Sequence, residues 1–208
     1  VPVFAGEFGG FVAALHAATY AANGHLQLRC LAVRGVQLSH AFYQQIASSC
    51  QLVSLTYPTY NASVEALGIV CSMTALQELS FLSVPRDNKG FVDLADDVLK
   101  QLSSIAGLTR LRFECVFGVQ ASQCQLEQLP NGVRELVVDK VVGFVAGGDY
   151  HWTIHPWAFG HLSSVTCLEV PYLSPGSDDV LPPNLVALTF RMQHISLRPL
   201  LQLQKLQS

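Results

Sequence analysis

Residues 108–113 read Leu108-Thr109-Arg110-Leu111-Arg112-Phe113. The pattern is an apolar residue, two residues, an apolar residue, one residue, an apolar residue. The last two apolar residues are two apart, which is strand periodicity, so both fall on one face and Arg110 and Arg112 fall on the other. The same frame occurs at Leu28/Leu31/Val33, Leu52/Leu55/Tyr57 and Leu76/Leu79/Phe81, and again at Val133/Leu136/Val138, Val165/Leu168/Val170 and Leu185/Leu188/Phe190. An eighth copy begins at Leu203/Leu206 and breaks off at Ser208. With no initiator Met at the start, this predicts a portion of a longer chain.

The first apolar positions of the frame lie 24, 24, 32, 25, 32, 20 and 18 residues apart. One Leu-x-x-Leu-x-Leu carries no information, because Leu is common. Seven complete copies in near-register do, and their spacing is that of a repeat of roughly 20–29 residues with two insertions and two short units. From about residue 26 to residue 208 the chain resembles the leucine-rich repeat family. The resemblance implies an α/β solenoid, with a single parallel β-sheet on the concave face and helices and irregular segments on the convex face. The units at Leu129-Pro130 and Leu181-Pro182 resemble the shorter subclass that opens with Leu-Pro, whose convex segments are extended or polyproline-like. One family feature is missing. Three positions past the third apolar residue the family places Asn or Cys, which caps backbone groups of adjacent turns. Here those positions hold Val36, Tyr60, Val84, Val116, Val141, Leu173 and Gln193, so the outer backbone must be satisfied in another way.

Residues 1–25 form a lead-in. Phe11 to Ala22 is Ala-rich, lacks Pro and Gly, and predicts a helix stopped by Asn23-Gly24. Between copies of the frame, Ser63 to Val70 lies in a stretch long enough for a helix or an extended return. Leu94, Val98, Leu102 and Ile105 make a helix stripe, with Asp93, Asp96 and Asp97 at the end where the dipole favours acids. Ala121 to Leu129 is a shorter helix candidate. The insertions are 84–97, with the turn-rich Pro85 to Gly90, and about 143–161.

Half of the residues are hydrophobic, only 13% are charged, and mean hydropathy is +0.33. Burial of each repeat against two neighbours accounts for part of this apolar balance, and a face covered by a larger assembly would account for the rest. Net charge is −3 with the signs interspersed, and the pI near 6.1 argues against a nucleic-acid footprint. The longest apolar stretch, Phe11 to Ala22, falls short of the roughly 20 residues that span a membrane. The six cysteines form no CxxC pair and predict reduced thiols in an intracellular, cytoplasmic compartment. Asn61-Ala62-Ser63 is a formal glycosylation triplet, of a kind common by chance.

Two groups of residues stand out as candidate sites. In the second insertion, His151, Trp152, His155 and Trp157 stand near His161. His151 and His155 would share a helix face as zinc ligands, but Pro156 disfavours that helix and no HExxH pattern is present. A loop packed on the array, or one that binds a partner, fits the residues better. On the strands, the outward residues are nearly neutral at both ends and charged in the middle: Arg110, Arg112, Glu114, Glu135, Asp139 and Glu169. They read either as a solvated face with cross-strand ion pairs or as a binding surface. The resemblance favours binding, since the family commonly grips partners there.

The sequence therefore predicts a non-enzymatic protein–protein interaction module or scaffold component of a larger complex, with no cofactor, metal, nucleic acid or membrane span. Substrate recognition for a ubiquitin ligase is a specific version that rests on family analogy. A metal-dependent enzyme using the 143–161 insertion and a receptor ectodomain with paired cysteines are the competing classes.

Overall fold

The computed structural model describes residues 28–33, 40–49, 51–58, 64–82, 92–93, 100–114, 116–117, 129–139, 141–142, 162–170 and 181–190. Strands β1 (Cys30–Ala32), β2 (Ser54–Pro58), β3 (Glu78–Leu82), β5 (Arg110–Phe113), β7 (Glu135–Val138), β9 (Cys167–Val170) and β10 (Ala187–Phe190) form one seven-stranded sheet. All its pairings are parallel and its order follows the chain, β1-β2-β3-β5-β7-β9-β10. The register aligns Leu31, Leu55, Leu79, Leu111, Leu136, Leu168 and Leu188 in a single row. Helices α1 (His40–Ser49) and α2 (Val64–Cys71) follow β1 and β2. The fold is of the α/β class with few helices among the described residues.

The spacing of the frame has a backbone cause. The residue just after its first apolar position lends its carbonyl to two successive N–H groups of the next strand. The carbonyl of Arg29 accepts from Val53 and Ser54, and that of Val53 from Gln77 and Glu78. Gln77, Thr109, Arg134 and Thr166 repeat the arrangement, with all twelve bonds between 2.7 and 3.0 Å. The carbonyl's two lone pairs accept both, and the strands beyond it pair one residue to one. Strict alternation would put the first and second apolar residues two apart. Here they are three apart, and Leu52 and Leu55, like Leu108 and Leu111, are all buried.

A tight turn precedes each of the later frames. The N–H of Leu76 donates to the carbonyl of Met73, Leu108 to Ile105, Val133 to Pro130, Val165 to Leu162 and Leu185 to Pro182, at 3.0 to 3.2 Å. The two Leu-Pro openings are thus turn entries. At Gly132 the turn passes so near the preceding one that a Cβ would lie 2.9 Å from the carbonyl oxygen of Leu108, closer than side chains tolerate.

The apolar side of the sheet forms the core with α1 and α2. Leu55, Leu79, Leu111, Leu136 and Leu168 are at most 2% exposed, and Leu52, Leu76, Leu108, Val133, Val165 and Leu185 form a second buried row. The third frame position adds Tyr57, Phe81 and Phe113. Their rings lie 5.7 Å and 5.2 Å apart, and Tyr43 of α1 extends the column 5.2 Å from Tyr57. Contacts of this kind add about 0.5–1.5 kcal/mol per pair to the burial term. Helix α1 buries Phe42, Tyr43 and Ile46, and α2 buries Ala66, Leu67, Val70 and Cys71. Each set follows helical spacing, so one stripe faces the sheet.

Two expectations need correction. The single sheet is accompanied by a second, parallel ladder of two-residue strands: β4 (Val92–Asp93), β6 (Val116–Phe117) and β8 (Val141–Val142). Val116 and Val141 stand three positions past the third apolar residue of their frames, where the sequence offered no capping Asn or Cys. Main-chain pairing there takes the place of a side-chain cap, which β-branched residues can accommodate. Asp93, expected at a helix start, instead ends β4. Of the predicted stripe, residues 100–102 are helical, and Leu102 and Ile105 are buried. Leu94 and Val98, the helices expected at Phe11 to Ala22 and at 121–128, and the eighth copy lie outside the described residues.

Leu111→Ala is expected to lower stability by about 2–5 kcal/mol in urea titration. Leu188 holds the same frame position on the edge strand and is only partly buried, so Leu188→Ala is expected to cost clearly less.

Candidate binding face

The other side of the seven-stranded sheet carries the polar residues in two rows set by the register. One row runs Cys30, Ser54, Glu78, Arg110, Glu135, Cys167, Ala187, and the next Ala32, Thr56, Ser80, Arg112, Val137, Glu169, Thr189. In β5 the alternation is complete: Arg110 and Arg112 are exposed and Leu111 and Phe113 buried. Glu114 and Asp139 follow β5 and β7, held by N–H bonds of 2.9 Å to the carbonyls of Phe81 and Phe113.

The structure brings together all six charged residues anticipated on this face, and two ion pairs join four of them; Glu114 also makes an interaction of its own. Arg110 Nη2 lies 2.9 Å from Glu135 Oε1, its direct neighbour in register. Arg112 reaches diagonally, donating from Nε and Nη2 to Asp139 Oδ2 at 3.0 and 2.7 Å. Both guanidinium groups remain nearly half exposed, at 46% and 47%, so solvent screens each pair to under about 1 kcal/mol. The pairs orient the arginines more than they hold the sheet.

Val137 departs from the alternation. It stands in the outward row between Arg112 and Glu169, yet it is only 3% exposed and lies outside the core cluster. Its neighbours in register have long side chains that can lie over it. An apolar residue at an outward position was the signal available in the sequence, but burial on that side depends on neighbours contributed by other strands. Toward β1 the face becomes low, with Ala32, Thr56 and Ser80 in place of long side chains.

The second candidate group, His151, Trp152, His155 and Trp157, lies with His161 outside the described residues. Among the described residues no three His, Cys, Asp or Glu side chains cluster as a metal site. No helix among them is long and apolar enough to cross a membrane. Cys30, Cys71 and Cys167 are free thiols, with Cys30 exposed and Cys71 buried.

The titratable groups inside the core have a different chemistry from the face. Burial pushes the Cys71 thiol up to about 12. The hydroxyls of Tyr43 and Tyr57 are also pushed well above their ordinary range, by burial first, then by Tyr57 and Cys71 respectively. Tyr57 Oη is buried without a hydrogen-bond partner among the described residues. Burial thus favours the neutral form of each of these groups.

No known protein family, no curated protein and no solved structure matches the chain.

A double-mutant cycle of Arg112→Ala and Asp139→Ala is expected to return a coupling below about 1 kcal/mol that shrinks further in about 1 M salt. Raised values in the folded state mean that the contribution of the core groups is full below the ordinary thiol range, near pH 9.0 for Cys71, and is lost as pH rises toward about 12. Melting temperature should therefore fall through this alkaline window. Cys71→Ala combined with Tyr57→Phe should flatten the fall.

Proposed function

We propose that the chain is a leucine-rich-repeat-like solenoid that acts, without catalysis, as a protein–protein interaction module or scaffold component. On this reading the polar face of the seven-stranded sheet is the concave surface and the site of binding. The observation that carries the proposal is the arrangement around β5 and β7: two ion pairs, half exposed and held in fixed geometry, on strands whose reverse side is nearly inaccessible to water. A rigid scaffold that displays oriented charges supplies specificity with little ordering cost on binding.

The recurrence of one backbone geometry at six strand junctions supports the repeat reading. The low overall charge supports a place in a larger assembly, and the free thiols suit a reducing, intracellular compartment.

The test is a triple charge reversal, Arg110→Glu, Arg112→Glu and Glu135→Arg, in affinity capture alongside the unchanged chain. Partners that bind the unchanged chain should be lost from the variant while its melting temperature stays within a few degrees. Equal recovery would exclude this face as the interface.

A further inference from the structure

Resting on that reading, we propose that the partner presents a basic, extended segment to the polar face, with two cationic side chains that engage Glu78 and Glu169. Leaving Glu114 aside, the described part of the face carries four carboxylates (Glu78, Glu135, Asp139 and Glu169) against two guanidinium groups. Both guanidinium groups are already committed, Arg110 to Glu135 and Arg112 to Asp139. Among the described residues the charge left for a partner to meet is therefore negative.

Its placement is specific. Glu78 stands on β3 beside Arg110, on the side away from Glu135. Glu169 stands on β9, beside Val137 and beyond the second ion pair. Both are partly exposed, and among the described residues neither belongs to an ion pair. Three strand spacings and a two-residue offset separate them by about 16 Å at the backbone. Four to five residues of extended chain cover a comparable distance, so Lys or Arg at positions i and i+4 reach both sites.

Such a segment would cross the strands obliquely, over the two arginines. An acidic segment on the same path would meet the exposed donors of Arg110 and Arg112 only beside the carboxylates that already offset their charge. Complementary charge at the two ends sets orientation and encounter rate.

The test is selection of a displayed peptide library, with about nine randomised residues and hence ~30 Å of extended chain, on the full chain. Enriched peptides should carry Lys or Arg four or five apart. They should bind Glu78→Lys/Glu169→Lys at least about tenfold more weakly and lose affinity between about 0.05 and 0.5 M salt. Glu78→Gln/Glu169→Gln, which removes the charges without reversing them, should weaken binding in the same direction. Enrichment of acidic or neutral peptides that are lost from the Arg110/Arg112/Glu135 reversal would overturn the basic partner and leave the face standing. Peptides indifferent to both sets of substitutions, or no enrichment, would overturn the face as well.

Discussion

One shared carbonyl organises this structure. At six strand junctions the same frame position accepts two N–H groups from the next strand, and the apolar residues three apart on either side of it stay in the core. The register follows from it. A shift of one residue would carry a whole row of leucines to the polar face and break the shared bonds at the same time. Apolar burial and backbone pairing therefore specify a single alignment, which Leu55, Leu79, Leu111, Leu136 and Leu168 adopt with almost no exposure.

This division of labour leaves the polar face free to vary. Leu111 and Phe113 are committed to the core, while the side chains of Arg110 and Arg112 lie on the opposite side, and Arg110 joins the shared Gln77 carbonyl only through its main-chain N–H. Charges can be placed there at little cost in stability, and the exposed ion pairs contribute little to it. Among the described residues the face is consequently where side chains can change without disturbing the core.

The second ladder shows the same constraint solved by different means. Where a polar side chain could have capped the outer backbone, Val116 and Val141 pair through the main chain with each other, and Val116 with Val92. The requirement concerns N–H and carbonyl groups, and it is indifferent to whether side chain or backbone meets it.

By itself the sequence determined the seven strands, their apolar rows and the side on which Arg110, Arg112, Glu135 and Asp139 would lie, because these depend on a strand periodicity that recurs in near-register over seven copies of the frame. The turns before each frame were also within reach. Met73, Ile105 and Leu162 extend the three-residue spacing one step upstream, although Ile105 also fits a helix stripe. Only the tertiary structure decided which carboxylate each arginine takes, that Val137 is buried on the polar side, and that a second ladder exists. Each of these is a relation between residues about 25 or more positions apart in the chain, and such residues become neighbours only once the register has closed. Arg112 illustrates the limit: its residue type and spacing place it outward, but its choice of Asp139 over any other acid follows from a diagonal between two strands that the sequence does not display.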